Sequence, residues 1–468
     1  MSIDVWWHGM PNSPTVESKV CVRATVTGTV GITVNGTRFT ASADTTVNDG
    51  NVAVTITGLL PDKRYTWTLD FDGTDHAMYS GTKGLITLPV TGEVKVGYGS
   101  CTSSAETMTY GYYAAGRGYK VFFLLGDTPY LDTGANDTWG VTTVDGSANI
   151  DFDSLAPFYE RFHKTPGVKY LGERCILIRM WDDHELLGDN HDHTIAQANS
   201  GGAGANISAA TQNDVDTMFL VCRKVFEAYS LCNPTNADAG VAAQAPFMAD
   251  AAAANYPAQY FRTTIGDAEF FVTDCISHRG PVAGATRTTE SLADADAVML
   301  GSTQRTWLTT RLGASTAINK VWVTTKKTYA NNTDNGDGWD YLSTTWPGFV
   351  TEREIVLDYV EANVTGFSSI SGDRHAQTVV DQSSARGQAR DHFNLCACPL
   401  GTQQVNSQGS GFNDHVVQIT EESCMGELVV TALGITYSLV GTANTVGWTG
   451  QILAGSNALS YPEIAIAV

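Results

Sequence analysis

The sequence has few charged residues, and basic residues are especially few. Asp, Glu, Lys and Arg make up 16% of the 468 residues, and 28 Lys and Arg stand against 49 Asp and Glu, which gives a formal net charge of −21. Nonspecific binding to nucleic acid or to an anionic membrane surface needs a basic surface, so the chain is not expected to be a nucleic-acid platform. Hydrophobic residues make up 43%, which excludes a disordered chain of low hydrophobicity and high charge.

Long apolar runs and an export signal are also missing. No stretch approaches the ~20 consecutive apolar residues that a membrane-spanning helix needs. Residues 1–4 have neither the basic segment nor the apolar segment that opens a secretory signal. The low charge and the abundance of Thr, Gly and Asn nevertheless suit a secreted or virion-surface protein. We therefore expect an extracellular, cell-surface or virion-associated location.

The nine cysteines do not form a pattern typical of disulfide-rich proteins. Their number is odd and their spacings do not repeat, so no disulfide framework is predicted. Cys396 and Cys398 are too close together for a C-x-x-C zinc motif. Most of the cysteines are expected to be small buried side chains, and only Cys101 is a candidate functional residue.

Residues 1–92 have the pattern of a small all-β sandwich domain. Short alternating strands are separated by turn residues, and Asn35 and Gly36 predict a hairpin turn. The L-x-P-x-x-x-Y pattern that ends at Tyr65 is similar to a corner of fibronectin type III domains, where the Tyr hydroxyl bonds back to the preceding turn. No chemistry is expected from this domain.

Residues 93–400 change to an α/β pattern in which four hydrophobic strands each end in acidic residues. The strands are predicted at 120–125, 175–181, 269–273 and 366–370. The acidic residues that follow them are Asp127, Asp182 with Asp183, Asp274 and Asp373. Ligands of α/β sheets bind at the carboxyl ends of strands, so these residues predict a site. Residues 401–468 are again β-like, either as the end of the core or as a small appended domain.

Five segments of this region carry a specific resemblance. They are G-S-C at 99–101, G-D-T-P-Y at 126–130, D-D-H-E at 182–185, D-C-I-S-H-R at 274–279 and S-G-D-R-H at 371–375. In this order they resemble the PhoD-like alkaline phosphatase and phosphodiesterase family, part of the metallophosphatase superfamily. Ile276 departs from the family's D-x-R-x-x-R at its first arginine. The resemblance implies a four-layer metallophosphatase α/β-sandwich, preceded here by the β-sandwich domain.

The resemblance also implies a metal centre with Fe3+ and Ca2+, the identity of the second metal being open. It makes Cys101 and Tyr130 iron ligands, and a thiolate with a phenolate suits ferric iron better than Mg or Ca. Asp127, at a strand end, can bridge two metals with its two oxygens. Asp373 and His375 are the other ligands expected from the last segment, and both face one side if the chain there is extended.

Comparison with the superfamily's G-N-H motif puts Asp183 at a metal-binding position and His184 where a histidine assists the departing oxygen. Asp182 is the alternative ligand, or else a helix N-cap. Arg279 is expected to face the phosphate, because a guanidinium matches two phosphoryl oxygens, with a structural salt bridge as its alternative role. Asn190 either bonds a phosphate oxygen or a ligated water, or caps a turn. Asp274 is a further candidate.

These expectations combine into a metal-dependent phosphoester hydrolase for diesters, monoesters or both. The expected reaction is in-line attack on phosphorus by a water that bound metal would activate, without a covalent enzyme intermediate. The expected substrate is a phosphorylated small molecule or a cell-surface phosphodiester polymer. The alternative is a catalytically weakened homologue that serves as a structural or receptor- or glycan-binding module. Ile276 in place of the first arginine, the flanking β segments and the missing export signal motivate it. An oligomer or a larger assembly is left open.

Overall fold

The computed structural model describes most strands and helices of the chain and the loops between many of them. The described residues are 3–76, 84–102, 107–131, 151–186, 212–234, 259–278, 298–328, 349–373, 377–381, 393–397, 400, 415–419, 424–441, 446–453 and 459–460. The strands are β1 (Ile3–Gly9), β2 (Ser18–Ala24), β3 (Gly28–Val34), β4 (Thr37–Ala43), β5 (Asn51–Ile56), β6 (Arg64–Tyr65), β7 (Thr68–Phe71), β8 (Thr74–Asp75), β9 (Leu85–Ile86), β10 (Val94–Gly99), β11 (Val121–Leu125), β12 (Ile176–Met180), β13 (Phe261–Ile265), β14 (Ala268–Val272), β15 (Asn319–Val323), β16 (Phe367–Ser371), β17 (Gln377–Asp381), β18 (Phe393–Cys396), β19 (His415–Ile419), β20 (Cys424–Thr431), β21 (Gly434–Gly441), β22 (Val446–Leu453) and β23 (Leu459–Ser460). The helices are α1 (Thr107–Gly116), α2 (Phe152–Lys164), α3 (Pro166–Gly172), α4 (Gln212–Tyr229), α5 (Gly301–Ala314) and α6 (Val350–Asn363), and a 3-10 turn covers Asp183–Leu186. None of the described helices is long and apolar enough to cross a membrane.

Two large sheets form the centre of the described structure. The larger has the order β23-β22-β21-β20-β10-β11-β12-β1-β2-β5, and the other has the order β13-β14-β15-β16-β18-β17-β19. Strands β10, β11 and β12 are parallel, and so are β14, β15 and β16. Parallel neighbours need crossover connections, which the helices between them provide. The strands predicted before the acidic residues are therefore confirmed.

Each central strand is buried on both faces, which explains the continuous apolar runs. On one face of β11, Phe123 packs against Phe270 of the second sheet, with ring centroids 5.4 Å apart. On its other face, Phe122 packs in a cluster with Leu171 of α3. Trp322 of β15 likewise faces α5 and α6. Burying each such side chain contributes roughly 2 kcal/mol. The layers are thus helix, sheet, sheet and helix, and the predicted α/β-sandwich is confirmed.

The N-terminal strands form a β-sandwich that is joined to the core. The sheet β4-β3-β7-β8 packs on β1, β2 and β5, with Trp6 and Trp67 in edge-to-face contact at 4.9 Å. Asn35 and Gly36 have φ of 51° and 79° and join β3 to β4, which confirms the predicted hairpin turn. Strand β1 pairs in parallel with β12, so the sandwich shares a sheet with the core. The domain boundary at residue 92 stays a prediction.

The C-terminal strands continue the larger sheet. Strand β20 pairs antiparallel with β10, and β21, β22 and β23 follow it in order toward the edge. Leu428 and Tyr437 from these strands lie in the same core cluster as the strands of the α/β region. The described part of residues 401–468 therefore includes strands of the core sheet, while the boundary at residue 400 stays a prediction.

Seven of the cysteines are described with their side chains, and all of them are buried and free of disulfides: Cys21, Cys101, Cys175, Cys222, Cys232, Cys275 and Cys396. The expectation of small buried side chains holds for these. Cys398 and the side chain of Cys424 lie outside the described residues.

The corner at Tyr65 provides a test of the N-terminal sandwich. The hydroxyl accepts a hydrogen bond from the Leu60 N–H at 2.6 Å and donates one to the Leu60 carbonyl at 3.3 Å. Tyr65→Phe should lower the free energy of unfolding by about 1 kcal/mol, because the Leu60 N–H loses its acceptor. Denaturant unfolding measures the loss. The control Tyr112→Phe alters an exposed ring and should change stability by under about 0.5 kcal/mol. Equal effects from the two variants would contradict the role of the corner.

Candidate active site

Four acidic residues from three strand ends meet where the carboxyl ends of the two sheets lie together. Asp127 follows β11, Asp182 and Asp183 follow β12, and Asp373 follows β16. Oxygen atoms of these four residues all lie within 4.8 Å of one another. Asp127, Asp182 and Asp183 are buried and Asp373 is partly buried. We call these four residues the acid cluster. Asp127 and Asp183 also form a second group with His184, within the same 4.8 Å limit.

The backbone at the site is held in an uncommon conformation. Cys101, Asp127 and Asp373 have φ of 57°, 56° and 74°, in the left-handed region that residues other than glycine rarely adopt. Bonds between the loops maintain it: the Cys101 N–H donates to the Gly126 carbonyl at 3.3 Å, and the Asp373 N–H donates to the Ser100 hydroxyl at 2.9 Å. These loops therefore fix the directions in which the three side chains leave the backbone.

Two glycines let the loops approach each other closely. A Cβ added to Gly126 would lie 2.5 Å from the Cβ of Asp182, and one added to Gly372 would lie 2.4 Å from the Ser100 hydroxyl oxygen. Gly126 also has φ of 90°. The glycine that precedes Asp127 and the one that precedes Asp373 are thus required by the packing of the site loops.

Cys101 and Tyr130 both lie against Asp127. The Cys101 thiol donates to Asp127 Oδ2 at 3.2 Å, and the Tyr130 hydroxyl donates to the same oxygen at 3.4 Å. The rings of Tyr130 and His184 have centroids 4.2 Å apart. The structure therefore brings Cys101, Asp127, Tyr130, Asp183, His184 and Asp373 together, with Asp182 beside them.

Glu185 holds the loops of the acid cluster in place. Its buried carboxylate accepts hydrogen bonds from the backbone N–H groups of Asp127 at 2.8 Å, Thr128 at 2.5 Å and Asp182 at 2.8 Å. Burial raises the pKa of Glu185 to about 7, and these N–H donors oppose that rise. Sequence reasoning missed this role, although Glu185 is the last residue of the D-D-H-E segment.

The electrostatics of the acid cluster favour a bound cation. Burial and the nearby negative charges of Cys101, Asp183 and Asp182 raise the pKa of Asp127 well above its usual range. Asp127 Oδ1 is buried and accepts no hydrogen bond from the described residues. Several carboxylates this close together cannot all stay ionised without positive charge between them. The oxygen, sulfur and phenol donors present here fit a metal ion.

A lysine that sequence reasoning did not single out also lies in the acid cluster. Lys326 is fully buried, and its Nζ donates to Asp373 Oδ1 at 2.8 Å and to Asp183 Oδ2 at 3.0 Å. Asp182 Oδ1 forms an ion pair with it at 3.1 Å. The sequence feature that could have indicated Lys326 is its position, three residues beyond the end of strand β15.

Asp274 lies outside the two groups of metal-ligand candidates. Its Oδ1 accepts hydrogen bonds from the Trp181 indole at 2.9 Å and from the backbone N–H groups of Ile276 and Ser277 at 3.0 and 2.9 Å. Arg223 Nη1 lies 3.7 Å from its Oδ2. Asp274 thus shapes its own loop, and Ile276 is buried in an apolar cluster beside it.

Three predicted site residues lie outside the described part of the chain. They are Asn190, Arg279 and His375. Their assigned contacts with phosphate or metal therefore stay predictions.

Comparisons with known proteins identify the family and the fold of the chain. The family model of the PhoD-like phosphatases matches residues 97–432. A solved structure of PhoD is similar over 99% of this chain and 92% of that chain, with a TM-score of 0.71 and 16% identity, which establishes a shared fold. A match to GAP50, the anchor in the inner membrane complex of Plasmodium, covers 78% of this chain and 90% of that chain at 11% identity. Its TM-score of 0.41 is too low to establish a shared fold. No curated protein matches the sequence.

Two measurements can separate the role of Glu185 in positioning the loops of the acid cluster from its contribution to the free energy of unfolding. Glu185→Gln places an amide group among backbone N–H donors, so it should lower the free energy of unfolding by about 2–3 kcal/mol. It should also weaken binding of a divalent cation, because Asp127 and Asp182 lose their support. Denaturant unfolding and titration calorimetry measure the two effects.

Glu352→Gln is the matched control for Glu185→Gln. Glu352 is also buried and accepts two backbone N–H groups, those of Met299 and Leu300 at 2.6 and 2.9 Å. It should lose comparable stability and keep its cation affinity. A Glu185→Gln protein with unchanged cation affinity would contradict the positioning role.

Proposed function

The chain belongs to the PhoD-like phosphatase family, and on that premise we propose that it hydrolyses phosphate diesters, monoesters or both at the acid cluster. The observation that carries the proposal is the convergence of Asp127, Asp182, Asp183 and Asp373 within 4.8 Å. Phosphate esters resist attack because their negative charge repels nucleophiles. A buried site that collects cations supplies what this reaction needs.

The metal ligands follow from the groups that meet at Asp127. Cys101, Asp127 and Tyr130 would hold Fe3+, and Asp183, Asp373 and His375 are the further proposed metal ligands. Ca2+ is the second ion of the proposal. When bound, these cations would neutralise phosphoryl oxygens and lower the pKa of water.

Side chains of the protein are proposed to supply the proton for the leaving group and to bind the phosphoryl oxygens. Water adds to phosphorus as the bond to the leaving alcohol oxygen breaks, and that oxygen needs a proton. His184 is the proposed donor, because it stands beside Asp127 and Asp183 and its ring is oriented by contact with Tyr130. Arg279 and Asn190 are proposed to bind the phosphoryl oxygens.

The proposed substrate is a phosphorylated small molecule or a cell-surface phosphodiester polymer, and the proposed location is extracellular, on a cell surface or on a virion. One observation favours the alternative of a catalytically weakened binding module. Ile276 stands where the family motif has an arginine, and its side chain is buried in an apolar cluster and supplies no positive charge to a phosphate. Such a module would not need metal or turn over an ester.

The first test compares two aspartates that both follow buried strands. Asp127→Asn should lower bound metal and turnover together, because the amide removes a negative charge from the acid cluster. Asp274→Asn is the matched control, since that carboxylate is occupied by the Trp181, Ile276 and Ser277 N–H donors. It should lose stability and keep metal.

Elemental analysis and hydrolysis of bis- and mono-p-nitrophenyl phosphate measure these results. Full metal content and turnover in the Asp127→Asn protein would remove Asp127 from the site. A wild-type protein that binds no metal and hydrolyses neither ester would favour the binding module.

A second test uses colour to identify the iron ligands. Phenolate and thiolate ligands donate charge to ferric iron on absorbing visible light, so the iron-loaded protein should be purple to brown and should bleach with dithionite. Tyr130→Phe and Cys101→Ser should each shift or weaken the absorption band. The control Tyr119→Phe changes a buried tyrosine outside the acid cluster and should leave the band unchanged. A colourless protein with stoichiometric ferric iron would refute the ligand assignment.

A further inference from the structure

Lys326 is brought to the acid cluster by the pairing of the second sheet. Strands β15 and β16 are parallel neighbours, so the residues that follow them lie side by side. The Gly372 N–H donates to the Thr325 carbonyl at 3.0 Å, and this bond joins the two loops just before Asp373 and Lys326. The pairing of the two strands therefore fixes the close contact between Lys326 Nζ and Asp373 Oδ1, at 2.8 Å.

The surroundings of the ammonium are those of a bound cation. Lys326 Nζ lies 2.8–3.1 Å from oxygens of Asp373, Asp183 and Asp182. An ammonium is a compact point charge with three donors and no acceptor, so it can neutralise several carboxylates as a small metal ion does. A lysine that is fully buried is tolerated only with such partners.

The contacts divide the acid cluster into two sides. Lys326 contacts Asp182, Asp183 and Asp373, whereas Asp127 Oδ2 is contacted by Cys101 and Tyr130. Asp127 also forms a group of possible metal ligands with Asp183 and His184. Lys326 contacts Asp183 through Oδ2 and Asp373 through Oδ1, so both carboxylates could also serve the metal ion proposed beside Asp127.

We propose that the Lys326 ammonium permanently occupies one cation position of the centre, between Asp182, Asp183 and Asp373. Metal is then held on the Asp127 side, and the protein binds fewer ions than its carboxylates alone would accept. This inference rests on the proposed function, because it assumes that the acid cluster holds metal.

The test counts ions in Lys326→Met, which keeps the length of the side chain and removes its charge. After loading with iron and calcium and removal of the excess, elemental analysis should find about one more ion per chain than in the wild type. Calorimetry should show Ca2+ affinity raised by at least about tenfold, since the carboxylates lose their internal cation.

Lys320→Met is the matched control, within strand β15 itself. Lys320 is also buried, but its Nζ donates to the backbone carbonyls of Ala317 at 2.6 Å and Thr365 at 3.1 Å. This variant should keep the wild-type ion count and Ca2+ affinity. Lys326→Arg retains the charge and should also keep the wild-type count.

The outcomes separate this inference from the proposed function. A folded Lys326→Met protein with the ion count and Ca2+ affinity of a metal-loaded wild type overturns the role of Lys326 and leaves the proposed function intact. A wild type that binds no metal, beside a Lys326→Met protein that binds Ca2+, supports the role of Lys326 and overturns the metal centre. Absence of metal from both proteins overturns both proposals.

Loss of folding is also decisive. If Lys326→Met is unfolded without metal, Ca2+ should restore its cooperative thermal transition, because the ion replaces the lost ammonium. A variant that stays unfolded at every Ca2+ concentration overturns the proposal.

Discussion

The organisation of the site depends on one constraint, the burial of several carboxylates close together. Each of them alone would cost free energy if it were buried as a charged group without a partner. Asp127, Asp182, Asp183 and Asp373 come from strands of two different sheets, so their repulsion acts directly on the packing of the two sheets against each other. Two side chains offset this repulsion. Lys326 lies between Asp182, Asp183 and Asp373, and Glu185 accepts hydrogen bonds from the backbone of the loops. The same concentration of negative charge makes the site a candidate for binding cations.

The fold and the family were predictable because their signals are local in the sequence. Apolar runs that end in Asp127, Asp183 and Asp373 mark buried parallel strands, and the order of short motifs identified the family that the comparisons confirm. The Tyr65 corner was likewise readable from its spacing, and its hydroxyl makes the predicted bond.

The roles of Lys326 and Glu185 were not predictable in the same way. Lys326 lies beyond strand β15 without a motif around it, and only the parallel pairing of β15 with β16 brings it to Asp373. Glu185 acts through backbone N–H groups of Asp127 and Thr128, more than fifty residues away in sequence. Such partners depend on which strands become neighbours, and single-sequence patterns do not contain that information.

The parallel pairing of β1 with β12 has a consequence for how this protein can be divided. His8 and Gly9 lie opposite Ile176 and Leu177, directly along the strand that leads to Asp182. Excision of the N-terminal region would turn β12 into an edge strand with unsatisfied backbone groups, which invites aggregation with other chains. The N-terminal region therefore covers an edge of the core sheet, and a shortened form for expression should keep this region rather than begin after residue 92.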